Sequence, residues 1–258
     1  MLTAGVDLAA ENRGTALAVI DWSGARATLA ELRLGVGDGP IAEAATTVDK
    51  LGIDCAFGWP DEFVSFVVGH SDHESVDGLE VDGGMDWRRT LAYRETDRMV
   101  RDKTHRWPLS VSTDRLGLTA MRCAGLLGRI QARGIEVDRS GAGVVVEIYP
   151  GASLRLWGFD TTGYRVGAPA RELLLAQILD AASWLDLQGF AELMVRSGDA
   201  FDAVIAALAS RSAALGYYDA PAPEQLARAR REGWTALPTA PLAALRPAQP
   251  RPPGASAA

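Results

Sequence analysis

Two strand-length apolar runs lie within residues 2–21, LTAGVDLAAENRGTALAVID. They cover residues 2–9 and 14–21, and the polar residues 11–13 between them are typical of a hairpin turn. A third strand is predicted over residues 26–34, ARATLAELR. The chain therefore begins with antiparallel strands joined by short connections.

Apolar runs then alternate with helical patterns. Residues 51–59, LGIDCAFGW, and 143–150, GVVVEIYP, are predicted to be buried strands, each stopped by a proline. Helices are predicted over residues 40–49, 61–68, 114–134, 168–182, 186–196 and 199–215. This order indicates an α/β fold with a mixed sheet, in which antiparallel hairpin strands are followed by parallel strands and helices flank the sheet.

Composition limits the classes of protein to consider. The 258 residues are 48% hydrophobic and carry a net charge of -7, which argues against a protein that coats nucleic acid through a globally positive surface. No apolar run approaches the roughly 20 residues of a membrane span, so no membrane partner is expected. The first residues lack the basic and apolar pattern of a signal peptide, which predicts a cytoplasmic location.

One domain is predicted over residues 1–245, with an inserted loop and helical region at about 69–140. The insertion begins with an acidic stretch, residues 69–87, and continues with a basic stretch, residues 88–106. Residues 246–258 are rich in proline and alanine and are predicted to form a disordered tail.

Three predicted strands each contain one acidic residue, namely Asp7, Asp54 and Glu147. Burying a lone ionised carboxylate costs several kcal/mol, so each group needs a partner, a proton or a metal ion. Structural explanations of these three acidic residues remain as alternatives. Asp7 and Asp54 could accept hydrogen bonds at strand ends, and Glu147 could pair with an arginine.

A second acidic pair, Asp199 and Asp202, lies in the first turn of the helix predicted over residues 199–215. The alternative interpretation is that Asp199 caps the helix and that Asp202 favours the positive end of its dipole. The apolar stripe lies opposite the pair, which could therefore face solvent unless the alanine side packs on the sheet. Apart from Arg211, charge is confined to the first turn, so the helix is predicted to be buried on more than one side.

A shared divalent cation would relieve the repulsion among these carboxylates. Oxygen ligands favour Mg²⁺ or Mn²⁺. Two such ions about 4 Å apart could activate a water and stabilise the leaving oxygen of a phosphodiester. The predicted catalytic and metal-binding residues are Asp7, Asp54, Asp199 and Asp202, with Glu147 as a further metal-site residue.

The basic stretch is the candidate phosphate-binding surface. The predicted phosphate-binding residues are Arg88, Arg94, Arg98 and Arg101, and Trp87, Tyr93 and Trp107 could stack on bases. The alternative is an internal salt-bridge arrangement with the acidic stretch, including a fixed pair between Arg94 and Asp97.

Six segments together resemble the uncharacterised family described as predicted RNase H-like nucleases, domain of unknown function 429. They are GVDLAAENRGTALAVID, IDCAFGWP, YRETDRMVR, VVVEIYP, DAFDAVIAALAS and EGWTALP, and the resemblance covers about residues 2–240. It implies an RNase H-like core with the first acid on strand one, the second on strand four and the last on a late helix. Asp7, Asp54 and the pair Asp199 and Asp202 occupy those places.

The DxxD arrangement is similar to that of Holliday-junction resolvases, which share the fold and cleave DNA with two metal ions. Those resolvases usually carry glutamate where this chain has Asp54, a shorter side chain. The resemblance implies a metal-dependent nuclease acting on DNA or RNA. Two alternatives remain: a non-catalytic module that binds nucleic acid or protein on the same fold, and a nucleotide-binding phosphotransferase of the actin and sugar-kinase group. The phosphotransferase would normally need a second repeated core domain, which the sequence does not reveal.

Overall fold

The computed structural model describes residues 1–72 and 83–247. Its strands are β1 (Leu2–Asp7), β2 (Ala16–Asp21), β3 (Ala27–Leu34), β4 (Lys50–Asp54), β5 (Val145–Glu147) and β6 (Leu185–Asp186). Its helices are α1 (Asp38–Ala44), α2 (Asp61–Ser71), α3 (Gly84–Ala92), α4 (Glu95–Thr104), α5 (Gly117–Gln131), α6 (Pro150–Leu156), α7 (Ala168–Ala181), α8 (Ala191–Arg196), α9 (Gly198–Ala214) and α10 (Leu226–Glu232).

The α/β fold with a mixed sheet is confirmed. The six strands have the order β5-β4-β1-β2-β3-β6. Strands β1, β2 and β3 pair antiparallel, whereas β4 and β5 add in parallel on the β1 side. The acids therefore lie where the resemblance implied, on the first strand, the fourth strand and a late helix.

Several element boundaries differ from the sequence predictions. The helix predicted over residues 186–196 begins only at Ala191, because Leu185 and Asp186 pair with β3 at the sheet edge. The strand predicted over residues 51–59 ends at Asp54. Pro150 stops β5 as expected, but it also begins α6, a position where its missing N–H is not needed. Helix α10 was not predicted.

Strand alternation fixes which side chains face α9. Gly5 and Asp7 lie on the α9 side of β1, whereas Val6 packs on the opposite side in the core that α5 lines. In the parallel pairing of β1 with β4, Gly5 lies opposite Gly52 and Asp7 lies opposite Asp54. The two aspartates are thus neighbours on one face, at the carboxyl ends of adjacent strands.

The two glycines let α9 approach the sheet closely. A Cβ atom on Gly5 would collide with the backbone of Ala203 and Ala207, and one on Gly52 would collide with Ser210 and Ile148. On its other side α9 packs against α6 and α8, so every residue from Ala200 to Ala213 is buried. The prediction of a helix buried on more than one side is confirmed, and the alanine side is the one that lies against the strands.

The predicted insertion supplies helices α3, α4 and α5 between α2 and β5. Most of the acidic stretch and of the predicted tail lies outside the described residues, at 73–82 and 248–258. Within the described part of the chain, no helix combines the length and apolar character needed to cross a bilayer. The cytoplasmic location stays a prediction.

Candidate functional site

Three carboxylates approach one another where β1 and β4 end. Asp7 and Asp54 are register partners, and the N-terminal part of α9 brings Asp202 close enough for its charge to act on both. Asp202 is only 5% exposed. A cavity of about 210 Å³ opens beside them and is lined by Asp7, Asp54 and Arg165. Its apolar wall includes Leu8, Val100, Pro108, Leu109 and Leu116.

Burial and mutual repulsion make this cluster hold protons. Burial is the main reason that the pKa of Asp7 rises to about 9, and the charges of Asp54, Asp202 and Asp199 raise it further. Burial, followed by repulsion from Asp202, raises the pKa of Asp54 to about 8. Burial also raises the pKa of Asp202, to about 6, although Arg165 and the Tyr164 hydroxyl oppose this rise.

Asp202 is incompletely satisfied by the protein. Its Oδ2 lies 3.5 Å from Nη2 of Arg165, longer than a strong charge-assisted hydrogen bond. Its Oδ1 is buried and has no hydrogen-bond partner among the described residues. An unsatisfied buried acceptor costs about 1–3 kcal/mol, and more when it is charged. This carboxylate therefore keeps one buried oxygen without a hydrogen-bond donor among the described residues.

Asp199 does not cap α9. The cap is Ser197, whose hydroxyl oxygen accepts a hydrogen bond of 3.1 Å from the Ala200 N–H. The capping interpretation of Asp199 is therefore wrong. Burial raises the pKa of Asp199, whereas the charge of Arg171 lowers it. Asp199 lies at the margin of the cluster and adds to its negative potential.

The structure does not support Glu147 as a metal ligand, although Glu147 lines the same cavity as Asp7 and Asp54 and its charge adds to the rise in the pKa of Asp54. Glu147 pairs in register with Ile53, so its side chain leaves the strand on the face opposite to that of Asp54. Its Oε1 accepts hydrogen bonds from Arg94 at 2.8 Å and from Thr235 at 2.7 Å. Its Oε2 accepts from Arg94 at 2.8 Å and from the Phe57 N–H at 2.9 Å. The alternative, pairing with an arginine, is confirmed.

Arg94 is likewise removed from the predicted phosphate-binding set. It is buried, and its guanidinium contacts Asp97, Glu147 and the Glu232 carbonyl. Its N–H donates to Asp97 at 2.9 Å, which completes a capping box at the start of α4. The alternative of a fixed pair between Arg94 and Asp97 is confirmed, and this arginine has no free donor pair for a phosphate.

We expect Glu147→Gln to lower the free energy of unfolding by about 2 kcal/mol, because it leaves the buried Arg94 with Asp97 as its remaining counter-ion. Urea denaturation would measure the loss. The Mn²⁺ affinity of the folded variant should equal that of the wild type, as measured by calorimetry. A variant of unchanged stability that has lost Mn²⁺ binding would restore Glu147 as a ligand.

The other predicted phosphate-binding arginines lie on α3 and α4, away from the cavity wall. Arg98 is 3.6 Å from Glu95, and Arg101 lies over the Trp107 ring at 6.0 Å. Arg88 is exposed on α3. Trp107 itself stacks on Tyr93, with ring centroids 4.1 Å apart. Phosphate binding by Arg88, Arg98 and Arg101 stays a prediction. The sequence analysis missed Arg165, which lines the cavity together with the buried Arg94.

The donor chemistry of the site fits a hard cation, since Asp7, Asp54 and Asp202 offer only oxygens. The side chains are not, however, arranged as a compact set of ligands around a cation. Among residues 1–72 and 83–247, no three histidine, cysteine, aspartate or glutamate side chains are grouped as ligands of a metal ion. The cation that the structure does place beside Asp202 is the guanidinium of Arg165.

Comparison with known proteins gives one match. The model of a family described as "Protein of unknown function (DUF429)" matches residues 5–226. No curated protein matches, and no solved structure matches. The matched range contains Asp7, Asp54, Asp202 and Arg165, so the whole acidic cluster lies within the part of the chain that the family shares.

Proposed function

The chain belongs to the DUF429 family of proteins of unknown function, and we propose that it is a nuclease that hydrolyses phosphodiester bonds with Mg²⁺ or Mn²⁺. The proposed catalytic residues are Asp7, Asp54 and Asp202, with Asp199 at the margin. DNA or RNA is the proposed substrate.

One observation carries the proposal: a buried carboxylate, Asp202 on α9, and two half-buried ones, Asp7 on β1 and Asp54 on β4, lie close enough for their charges to interact, although this is unfavourable. A fold selected only for stability would place neutral residues at such positions. Perturbed pKa values in a cleft are typical of functional sites. Two of the three carboxylates, Asp7 and Asp54, also line a cavity, which is the proposed place of substrate binding.

Asp7, Asp54 and Asp202 are the residues that would hold a divalent cation. The unpartnered Oδ1 of Asp202 supports this, because a buried charged oxygen needs a cation or a donor. When bound, the ion supplies a water of lowered pKa and a polarised phosphoryl oxygen.

The chain's own groups have three further tasks in this proposal. Asp7 and Asp54 must give up their protons to become ligands, which makes the activity increase with pH. The apolar wall at Leu109 and Leu116 excludes water from one side of the cavity. With a net charge of -7, the chain must attract a polyanion locally, and Arg98 and Arg101 on α4 are the proposed outer phosphate contacts.

A second candidate is a non-catalytic module that binds nucleic acid or protein. The contact between Arg165 and Asp202 favours it, because a protein cation already offsets part of the buried charge. The phosphotransferase alternative is weaker, since the described residues contain one six-stranded sheet and such enzymes normally need two core domains.

A cleavage screen tests the proposal. The purified protein is incubated with single-stranded, duplex and branched DNA and with RNA, each with Mg²⁺, Mn²⁺ or a chelator, at pH 6.5 and pH 8.5. We expect metal-dependent cleavage of at least one substrate, faster at pH 8.5. The Asp54→Asn protein, purified in parallel, reveals any contaminating nuclease. Absence of both scission and a Mn²⁺-induced shift in melting temperature would favour the binding module, and stabilisation by ATP without cleavage would favour the phosphotransferase.

A further inference from the structure

Arg165 is the cation that faces the acidic cluster, and it is held loosely. It lies in the connection between α6 and α7, with Nη2 at 3.5 Å from Asp202 Oδ2. Its Nε donates a hydrogen bond of 3.1 Å to the Tyr164 hydroxyl. The side chain is 52% exposed and lines the cavity with Asp7 and Asp54. Part of the guanidinium therefore remains accessible to a ligand in the cavity.

The neighbouring Arg171 differs from Arg165 in that its side chain is held by backbone carbonyls and has a structural role. It is buried, and its guanidinium donates to the carbonyls of Tyr164, Val195 and Arg196. These contacts fix the main chain beside Arg165. Tyr164 is itself buried and packs on Phe201, with ring centroids 5.7 Å apart. The backbone of Arg165 is thus anchored while the end of its side chain is not.

The charges at the site do not balance once its carboxyl groups are deprotonated. Asp7, Asp54 and Asp202 then carry three negative charges, and Arg165 offsets one of them. The contact distance to Asp202 exceeds the 2.7–2.9 Å or so of a strong charge-assisted pair. A divalent cation at the unpartnered Oδ1 would compete with the guanidinium at Oδ2 for the negative charge of the same carboxylate. A guanidinium released from a carboxylate is suited to bind a phosphate, because its paired donors match both groups.

We propose that Arg165 is the internal counter-ion of Asp202, that it yields this carboxylate to a divalent cation, and that it then binds the phosphate of the substrate. This inference rests on the proposed nuclease function and assigns substrate phosphate recognition to a residue outside α3 and α4. It makes two opposite demands on one side chain. Removing the guanidinium should strengthen metal binding and weaken substrate binding.

Mn²⁺ titration monitored by electron paramagnetic resonance of the free ion tests the first demand without any turnover. We expect Arg165→Gln to bind Mn²⁺ about two- to five-fold more tightly than the wild type, since a partly exposed competing charge is lost. Arg165→Lys keeps the charge and should bind Mn²⁺ like the wild type. The matched control is Arg196→Gln, which removes an exposed arginine paired with Glu192 and should change nothing. Circular dichroism checks that every variant is folded.

Steady-state cleavage tests the second demand. Arg165→Gln and Arg165→Lys should both raise KM at least about five-fold, because neither side chain offers paired donors to a phosphate. Unchanged or weaker Mn²⁺ binding by Arg165→Gln, beside a cleaving wild type, would overturn the counter-ion role alone. Failure of both proteins to bind Mn²⁺ would overturn it together with the nuclease proposal. Tighter Mn²⁺ binding with an unchanged KM would overturn the phosphate role.

Discussion

Asp54→Asn is expected to reduce metal-dependent cleavage by more than about 100-fold while the protein stays folded. Loss of groups that merely support metal ligands already costs about 10- to 100-fold, and Asp54 is a proposed ligand itself. The amide keeps the shape of the carboxylate but carries no charge for a cation. Initial rates at saturating Mn²⁺ measure the effect. The control is Asp180→Asn on α7, which removes an exposed carboxylate and should leave the rate unchanged.

The same variant should be more stable than the wild type at pH 8 in the absence of metal. Burial and Asp202 raise the pKa of Asp54 from 3.8 to about 8, so the unfolded chain releases this proton at lower pH than the folded chain. The contribution of Asp54 to the free energy of unfolding of the wild type is fully present below about pH 4 and is lost as the pH rises to about 8. Asparagine does not ionise and escapes the loss, which amounts to about 1.4 kcal/mol for each pKa unit.

Thermal melts in a chelator at pH 4.5 and pH 8 measure this difference. The melting temperatures of wild type and Asp54→Asn should be similar at pH 4.5 and diverge at pH 8, with the variant higher. Mn²⁺ should reverse the order at pH 8, because it stabilises only the protein that binds it. A variant that is less stable than the wild type at pH 8 without metal would mean that protein groups already satisfy the Asp54 carboxylate, contrary to the proposed site.

Asp7 and Asp54 could be predicted as candidate site residues from one segment each, because an acidic residue within an apolar strand is unfavourable without a partner. Glu147 is also an acidic residue in an apolar strand, but in the structure it pairs with Arg94. What separates it from Asp54 is the register of β5 on β4, which pairs Glu147 with Ile53 and turns it to the other face. Register is decided by contacts between distant segments, so one strand read alone cannot reveal it.

Arginines were harder to predict than acids. Arg94 lies in a basic run typical of a phosphate-binding surface, yet its environment depends on Glu147, which is 53 residues away. Arg165 lies in a connection without helical or strand periodicity, so no pattern marked it. The helix predicted over residues 199–215 posed a similar problem, because its apolar stripe lies opposite Asp202. The structure resolves this by enclosing α9 on both sides, with Gly5 under its alanine face.

Gly5→Ala is expected to lower the free energy of unfolding by about 3–4 kcal/mol, the upper range of over-packing costs. The added methyl group would collide with the Ala203 carbonyl and the Ala207 N–H of α9, and a helix backbone cannot rotate away as a side chain can. Without this collision the substitution would stabilise the folded protein, since alanine restricts the unfolded chain more than glycine does. Destabilisation would therefore indicate that α9 lies in contact with β1, and stabilisation would indicate that it does not. Urea denaturation of both proteins measures it.

Gly39→Ala is the matched control, because it adds the same methyl group within α1 where no atom lies within 4 Å. It should be neutral or stabilise by up to about 1 kcal/mol. The comparison also bears on the site, since the seating of α9 on β1 is what brings Asp202 to Asp7 and Asp54. If Gly5→Ala unfolded at the wild-type urea concentration, α9 would not lie against β1. Asp202 would then be too far from the strand ends to share a cation with them.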